Sequence, residues 1–132
     1  YSLAMSSKYT SHPTYVKNTY SHLISDDENK AAATNYAKGQ YIQASLGTYR
    51  HVTRIEVKCG ASPVFGYPSY AKCQVQYLDA TSGQWVTLRD FTSTAMPKDY
   101  ITAIPLGAST NAIRLYNAAT TYIVAGTLRV FG

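Results

Sequence analysis

The chain has 132 residues, of which 14% are charged, and a formal net charge of +5 at neutral pH. This length suffices for a hydrophobic core without help from metals or disulfides, and no apolar run approaches the roughly 18 residues that span a bilayer. The twelve Lys and Arg residues are scattered singly, without a basic stripe or a recognition motif, so the charge does not indicate nucleic-acid binding.

The first regular segments are two runs in which apolar and polar side chains alternate. The first run covers residues 40–46 and buries one apolar face. The second covers residues 52–59, and its predicted inward face consists of Thr53, Ile55, Val57 and Cys59. A period of two is typical of strands with one buried face.

Later segments also predict strands. They cover residues 73–78, 84–89, 100–104, 112–116 and 121–131. Helix formers occur in residues 27–37 without an apolar stripe, which allows a turn or two at most. Short strands separated by Gly, Pro and Ser indicate an all-β antiparallel sandwich or barrel. We expect residues 1–132 to form one such domain and, because residue 1 is Tyr, to be a mature or excised fragment.

Five motifs, taken in order, resemble the coagulation factor V/VIII type C domain, also called the discoidin domain. They read GQYIQASLG, VTRIEVKCG, CQVQYLDATSGQWVTLRD, AIRLYN and LRVFG, and the resemblance covers residues 23–132. It implies a jelly-roll β-sandwich of the galactose-binding-like type, without catalytic activity, that binds ligands with loops at one end. Related members bind sugars, anionic phospholipid membranes or proteins such as collagen.

The two cysteines flank one loop. Cys59 ends one predicted strand, and Cys73 begins the next on the same face as Val75 and Tyr77. If these strands are antiparallel neighbours, a disulfide closes a loop of about 15 residues and stabilises the fold by roughly 3 kcal/mol. Two buried free thiols are the alternative. We expect the bond, and with it an oxidising, extracellular compartment.

Catalytic motifs are absent from the sequence. The histidines at 12, 22 and 51 lack metal-ligand spacing, and no phosphate loop or nucleophile elbow occurs. Adjacent carboxylates in residues 26–28 do not flank a substrate from two sides as glycosidase acids do. We therefore expect a protein that is not an enzyme.

The resemblance also raises the question of calcium. Many sugar-binding relatives hold a structural Ca²⁺ with an early Asp and a late Glu. Asp26 or Asp27 can supply the early carboxylate, but Thr127 and Arg129 stand where the late acid belongs. Because hard cations need several oxygen ligands, we expect no cofactor, with structural calcium left open as an alternative.

Sequence order and the resemblance suggest three binding loops, at residues 14–35, 60–72 and 117–121. The middle loop sets aromatic rings among prolines and glycines but lacks the Arg and Asn that sugar-binding relatives often place there. Flat rings with a few polar groups are typical of concave ligand sites. The predicted ligand-binding residues are Tyr20, His22, Phe65, Tyr67, Tyr70, Lys72, Asn117 and Tyr122.

The sequence thus predicts an extracellular recognition or adhesion module whose leading ligand is a cell-surface or extracellular glycan. One alternative is a protein or matrix ligand. Another is an anionic membrane, with Val64 and Phe65 inserted in the bilayer and Lys58 and Lys72 on the headgroups. A third reading is that the tyrosines pack on one another and cover the end of the barrel.

Overall fold

The structure is a computed structural model that describes residues 2–5, 32–34, 38–59, 72–93, 102–118 and 123–132. Its strands, in chain order, are β1 (Ser2–Met5), β2 (Ala32–Ala33), β3 (Tyr41–Cys59), β4 (Gln74–Asp79), β5 (Trp85–Asp90), β6 (Thr102–Tyr116) and β7 (Val124–Phe131). All pairings are antiparallel, in the order β2-β7-β3-β6-β4-β5, with β1 on β3. The predicted all-β sandwich is confirmed.

The two long strands β3 and β6 pair along almost their whole lengths, and their ladder is irregular at a central corner. Their register shifts between Ser45 and Arg50 and again between Val52 and Arg54. Gly47 and Gly107 lie at this corner with φ values of 82° and 69°, a conformation that glycine adopts without steric cost. The corner divides each long strand into two halves with different partners.

We name the resulting halves of the sandwich by their partner strands. The β4 layer contains residues 41–46 of β3 and 110–116 of β6, together with β1, β4 and β5. The β7 layer contains residues 52–59 of β3 and 102–108 of β6, together with β7 and β2. Both layers contribute to one core of fully buried side chains, which includes Ile42, Val75, Ile113, Leu115, Ile55, Val57, Ile104 and Leu128.

The predicted inward face of residues 52–59 is wrong at Thr53. Thr53 is exposed, while its neighbour Val52 is 1% exposed and belongs to the core. The register shift between Val52 and Arg54 is the cause, because an irregularity in the ladder breaks strict alternation. The prediction holds at Ile55 and Val57, which are both buried.

The structure also differs from the sequence prediction in how much of the chain is strand. The segments predicted at 40–46 and 52–59 are one continuous strand, and residues 32–33 form a strand where a helical turn was allowed. β6 continues through Pro105 and Gly107, two residues that usually interrupt a strand. Within the described ranges, no helix is long and apolar enough to cross a membrane.

Candidate functional site

One end of the sandwich is held together by Asn117, the residue that follows β6. Its side-chain Oδ1 accepts a hydrogen bond of 2.7 Å from the backbone N–H of Gln40. Its backbone N–H donates to the carbonyl of Gln40 at 3.1 Å, and its own carbonyl accepts from Gly39 at 2.9 Å. These bonds fix the chain entering β3 against the chain leaving β6.

A second pair of hydrogen bonds lies in the β7 layer. The backbone N–H of Thr34 donates to the carbonyl of Ile123, and the N–H of Ile123 donates to the Thr34 hydroxyl, both at 3.0 Å. Both residues are fully buried. Asn117 in the β4 layer and Ile123 in the β7 layer are therefore both fixed by hydrogen bonds.

The segment that joins β3 to β4 also begins and ends here. Cys59 pairs with Ala125 at the start of β7. On the other layer, Gln74 pairs with Tyr116, which in turn pairs with Tyr41. The chain ends that flank residues 35–37, 60–71 and 119–122 thus meet at one end of the sandwich, which we call the loop end.

Most predicted site residues fall outside the described residues. These are Tyr20, His22, Phe65, Tyr67, Tyr70 and Tyr122, together with Asp26 and Asp27 of the suggested calcium site. Lys72 is described and lies half-buried at the loop end, one residue before Cys73. Asn117 is fully buried, and its side chain serves to anchor the strands.

The predicted disulfide between Cys59 and Cys73 is absent from the structure. Cys73 is a free thiol, 1% exposed, and part of the hydrophobic core. The prediction assumed that the strands carrying the two cysteines are neighbours. Instead β6 lies between β3 and β4, and Cys59 pairs with β7. The alternative of a buried thiol is correct for Cys73.

The late position of the suggested calcium site carries positive charge. The guanidinium of Arg129 lies 3.7 Å from the carboxylate of Glu56, and Glu56 also pairs with Arg54 at 3.5 Å. A second cation is disfavoured where guanidinium groups already neutralise the nearest carboxylate. Arg129 is thus an ion-pair partner of Glu56, while Asp26 and Asp27, the other residues of the suggested calcium site, lie outside the described residues.

The outer surface of the β4 layer holds a cluster that the sequence analysis did not single out. The guanidinium of Arg114 lies 4.0 Å from the centre of the Trp85 ring and 4.5 Å from that of Tyr116. Its Nε donates a hydrogen bond of 2.6 Å to Oε1 of Gln76. Strict alternation in AIRLY, CQVQ and QWVT places these side chains outward, so the sequence indicated their common face but not their contact.

The electrostatics of this cluster follow from partial burial. Burial lowers the pKa of the Arg114 guanidinium, while the nearby hydroxyls of Tyr116 and Tyr41 act in the opposite direction. An arginine keeps its proton in proteins, so the cluster carries one positive charge between two rings. Cation–π contact of this kind is worth about 0.5–2 kcal/mol, depending on how far the pair is desolvated.

A small cavity of about 230 Å³ lies at the corner, where the two halves of β3 meet. It is lined by three apolar side chains, Leu46, Val52 and Val130, and by Arg50, His51 and Gly132. Arg50 and His51 are both exposed. This cavity is separate from the loop end, because the corner is the opposite end of each half of β3.

No family model and no curated protein matches the sequence. Solved structures do match its shape. A family 32 carbohydrate-binding module of Clostridium perfringens, in complex with GalNAc-β-1,3-galactose, aligns with a TM-score of 0.69 and 12% identity, over 99% of this chain and 94% of that one. The chain therefore shares the overall fold of this module.

Two other solved structures also have a similar fold. Chitosan-binding module 2 of a Paenibacillus sp. IK-5 chitosanase/glucanase, in complex with chitotriose, gives a TM-score of 0.68 and 18% identity over 99% and 95% of the two chains. The family 32 module of AlyQ, in complex with 4,5-unsaturated mannuronic acid, gives 0.65 and 15% over 98% and 93%. At these identities the likeness concerns the fold, which is the one the motifs implied.

Proposed function

We propose that this chain is a glycan-binding module that holds an oligosaccharide at the loop end and catalyses no reaction. The observation that carries the proposal is the convergence of three chain segments at one end of a sandwich. Binding residues concentrate on loops that a rigid scaffold positions. The similar structures named above are carbohydrate-binding modules, and their sugars span neutral, amino and acidic types.

The residues proposed to contact the sugar belong to those segments. Rings of Phe65, Tyr67 and Tyr70 stack on the apolar face of a pyranose, since concave sites combine flat rings with few polar groups. Lys72 supplies a polar contact from the edge of the β4 layer. Asn117 acts indirectly, because its side chain already accepts a hydrogen bond from Gln40. We propose it as the anchor of the site and no longer as a ligand contact.

We also infer that the chain is a discoidin-type domain that acts outside the cell. Support comes from the five ordered motifs, which fall on β3, β4, β5, β6 and β7. The location rests on the resemblance alone and is tested by fractionating the source cells. Matrix proteins and anionic membranes are the rival ligands of the same surface.

The test is a glycan array followed by calorimetry with the best oligosaccharide. Replacing both Phe65 and Tyr67 with Ala is expected to weaken binding by more than about tenfold, as for central aromatic contacts. The melting temperature is expected to stay within about 2 °C, because the position of these rings among prolines and glycines predicts a loop outside the core. Tyr49→Ala is the matched control, since Tyr49 is an aromatic residue at the corner with 50% exposure.

The results separate the candidate ligands. Sugar binding that the double variant loses and Tyr49→Ala keeps supports the proposal. If the protein binds phosphatidylserine vesicles and no sugar of the array, the function is membrane binding and the glycan proposal is wrong. A double variant that binds sugar like the unchanged protein would remove Phe65 and Tyr67 from the site.

A further inference from the structure

The outer surface of the β4 layer is a polar and aromatic face that begins at the loop end. Cross-strand register places Tyr41, Tyr116, Gln74 and Asp90 in one row next to the loops. The next row holds Gln43, Arg114, Gln76 and Thr87. We call these two rows and Trp85 the outer face. The proposed sugar site therefore continues onto a surface with a single cation at its centre.

Arg114 is held in place on this face from three sides. Trp85 and Tyr116 stack on the guanidinium, and Gln76 accepts its Nε–H. Gln76 is itself fixed, because its Nε2 donates to Gln74 at 2.9 Å and to the Thr87 hydroxyl at 3.3 Å. An amide fixed by its donors must present its oxygen to Arg114. The arginine is thus ordered before any ligand arrives.

The arginines of the other layer are arranged differently. Arg54 stacks on Phe131 at 4.0 Å, yet it lies 3.5 Å from the carboxylate of Glu56, which Arg129 shares. Arg114 has the same kind of stacking, but no ion pair within the described ranges involves it. Asp90 is the only acid among the residues of the two rows. The side-chain amides of Gln76 and Gln74 lie between it and Arg114. Its positive charge is therefore not neutralised by the described residues.

The chemistry of a stacked guanidinium defines what it can bind. Five N–H groups lie in one plane, and Nε–H is the one given to Gln76. The remaining donors match the two oxygens of a carboxylate in bidentate geometry, and such charge-assisted pairs are about twice as strong as neutral hydrogen bonds. The excess of positive over negative residues in the whole chain attracts the same ligand class.

We propose that the outer face is an accessory site for the carboxylate of an acidic oligosaccharide, with Arg114 as the residue that distinguishes uronates from neutral sugars. The proposal rests on glycan binding at the loop end. A uronate residue lies on Arg114 while the rest of the chain occupies the loops. The row that contains Tyr41 and Tyr116 lies between the two sites.

The test uses matched sugars that differ in charge alone. Trisaccharides of galacturonate, mannuronate and glucuronate are compared by calorimetry with their carboxyl-reduced, neutral counterparts. We expect at least one acidic form to bind about tenfold more tightly than its neutral partner, in line with one charge-assisted bidentate contact. Arg114→Gln is expected to abolish that preference and leave the affinity for the neutral form within about twofold.

Two further variants define the contribution of geometry. Arg54→Gln removes the same charge and the same type of ring contact from the other layer, and it is expected to keep the preference for uronate. Arg114→Lys keeps the charge without the planar fork, and it is expected to lose most of the preference. If Arg114→Gln does not fold, nitrogen-15 NMR of the unchanged protein follows the Arg114 Nε–H, which is expected to shift with the uronate and not with the neutral sugar.

The outcomes also separate this proposal from the proposed function. Equal affinity for every acidic and neutral pair would overturn the role of the outer face and leave glycan binding intact. If the Arg114→Gln variant still prefers uronate, the carboxylate binds at another site and the role of Arg114 is wrong. Absence of binding to any sugar, on the array and in these pairs, would overturn both.

Discussion

The side chain of Asn117 adds one rung to the ladder between β3 and β6. Beyond the last paired residues, Tyr41 and Tyr116, its Oδ1 accepts the N–H of Gln40, whose carbonyl accepts the N–H of Asn117. The amide is fully buried, so no water can take its place. The loop end is therefore built on a side chain that imitates backbone pairing.

Replacing Asn117 with Ala is expected to destabilise the protein by about 1–3 kcal/mol, because the partly buried N–H of Gln40 loses its acceptor. Urea unfolding followed by fluorescence measures this change. Gln43→Ala is the control, since the half-buried amide of Gln43 donates to the Ser45 hydroxyl and bonds to no other described side chain. Equal stability of the Asn117 variant and the unchanged protein would show that the side chain is not structural.

Thr110 has a comparable role at the corner. Its buried hydroxyl lies 2.7 Å from the carbonyl of Leu78 and accepts the N–H of Ala112 at 3.3 Å. Thr110→Val keeps the shape and removes these bonds, so we expect a loss of about 1–2 kcal/mol in unfolding free energy. The exposed Thr53→Val should change it by less than about 0.5 kcal/mol. Similar losses in both variants would contradict the proposed contribution of Thr110.

The hairpin between β4 and β5 contains a carboxylate whose charge the fold favours. Hydrogen bonds from Ser82, one of them from its backbone N–H at 3.0 Å, lower the pKa of Asp79 below its ordinary value of 3.8. Since the folded pKa is the lower one, this contribution to stability is present above the unfolded pKa and is lost as pH falls through the folded pKa. Carboxyl-carbon NMR titration is expected to show this midpoint below 3.8. A midpoint at or above that value would refute the hairpin contacts.

Cys73 provides a direct chemical test of the core. Because its thiol is 1% exposed, alkylating reagents are expected to leave it unmodified in the native protein. After unfolding without reductant it should react, and peptide mass analysis locates the label. Cys73→Ser removes that label and serves as the control. If Cys73 resists alkylation in the unfolded chain, the predicted disulfide with Cys59 is present after all.

Parts of the fold follow from sequence because one buried face imposes alternation. Ile42, Ala44 and Val75 are core residues where the pattern places them. Thr53 fails because a register shift lies beside it, and alternation carries no information on where a ladder slips. The passage of β6 through Pro105 was missed because its pairing comes from the partner strand β3.

The candidate site was predictable to a different degree. The loop end follows from the order of the motifs, since they place three segments between the strands of a known kind of sandwich. The cluster around Arg114 did not follow. Trp85 pairs with Leu78 and Arg114 with Gln76, so their contact is diagonal across β4 and depends on the register of three strands. Sequence patterns set the face of each residue, and the register decides which residues meet.

The central position of β3 also has a kinetic consequence. β3 pairs with β6 and β7, and the partner of Tyr41 lies more than half the chain away in sequence. Ladders that join such distant segments fold slowly, on the order of milliseconds to seconds, because loop closure precedes any gain from pairing. During synthesis β3 emerges after β1 but long before β6 and β7, so its apolar face and the edges that pair with β6 and β7 stay uncovered for that time. We expect this interval to be when the nascent chain is most prone to aggregation and most dependent on chaperones.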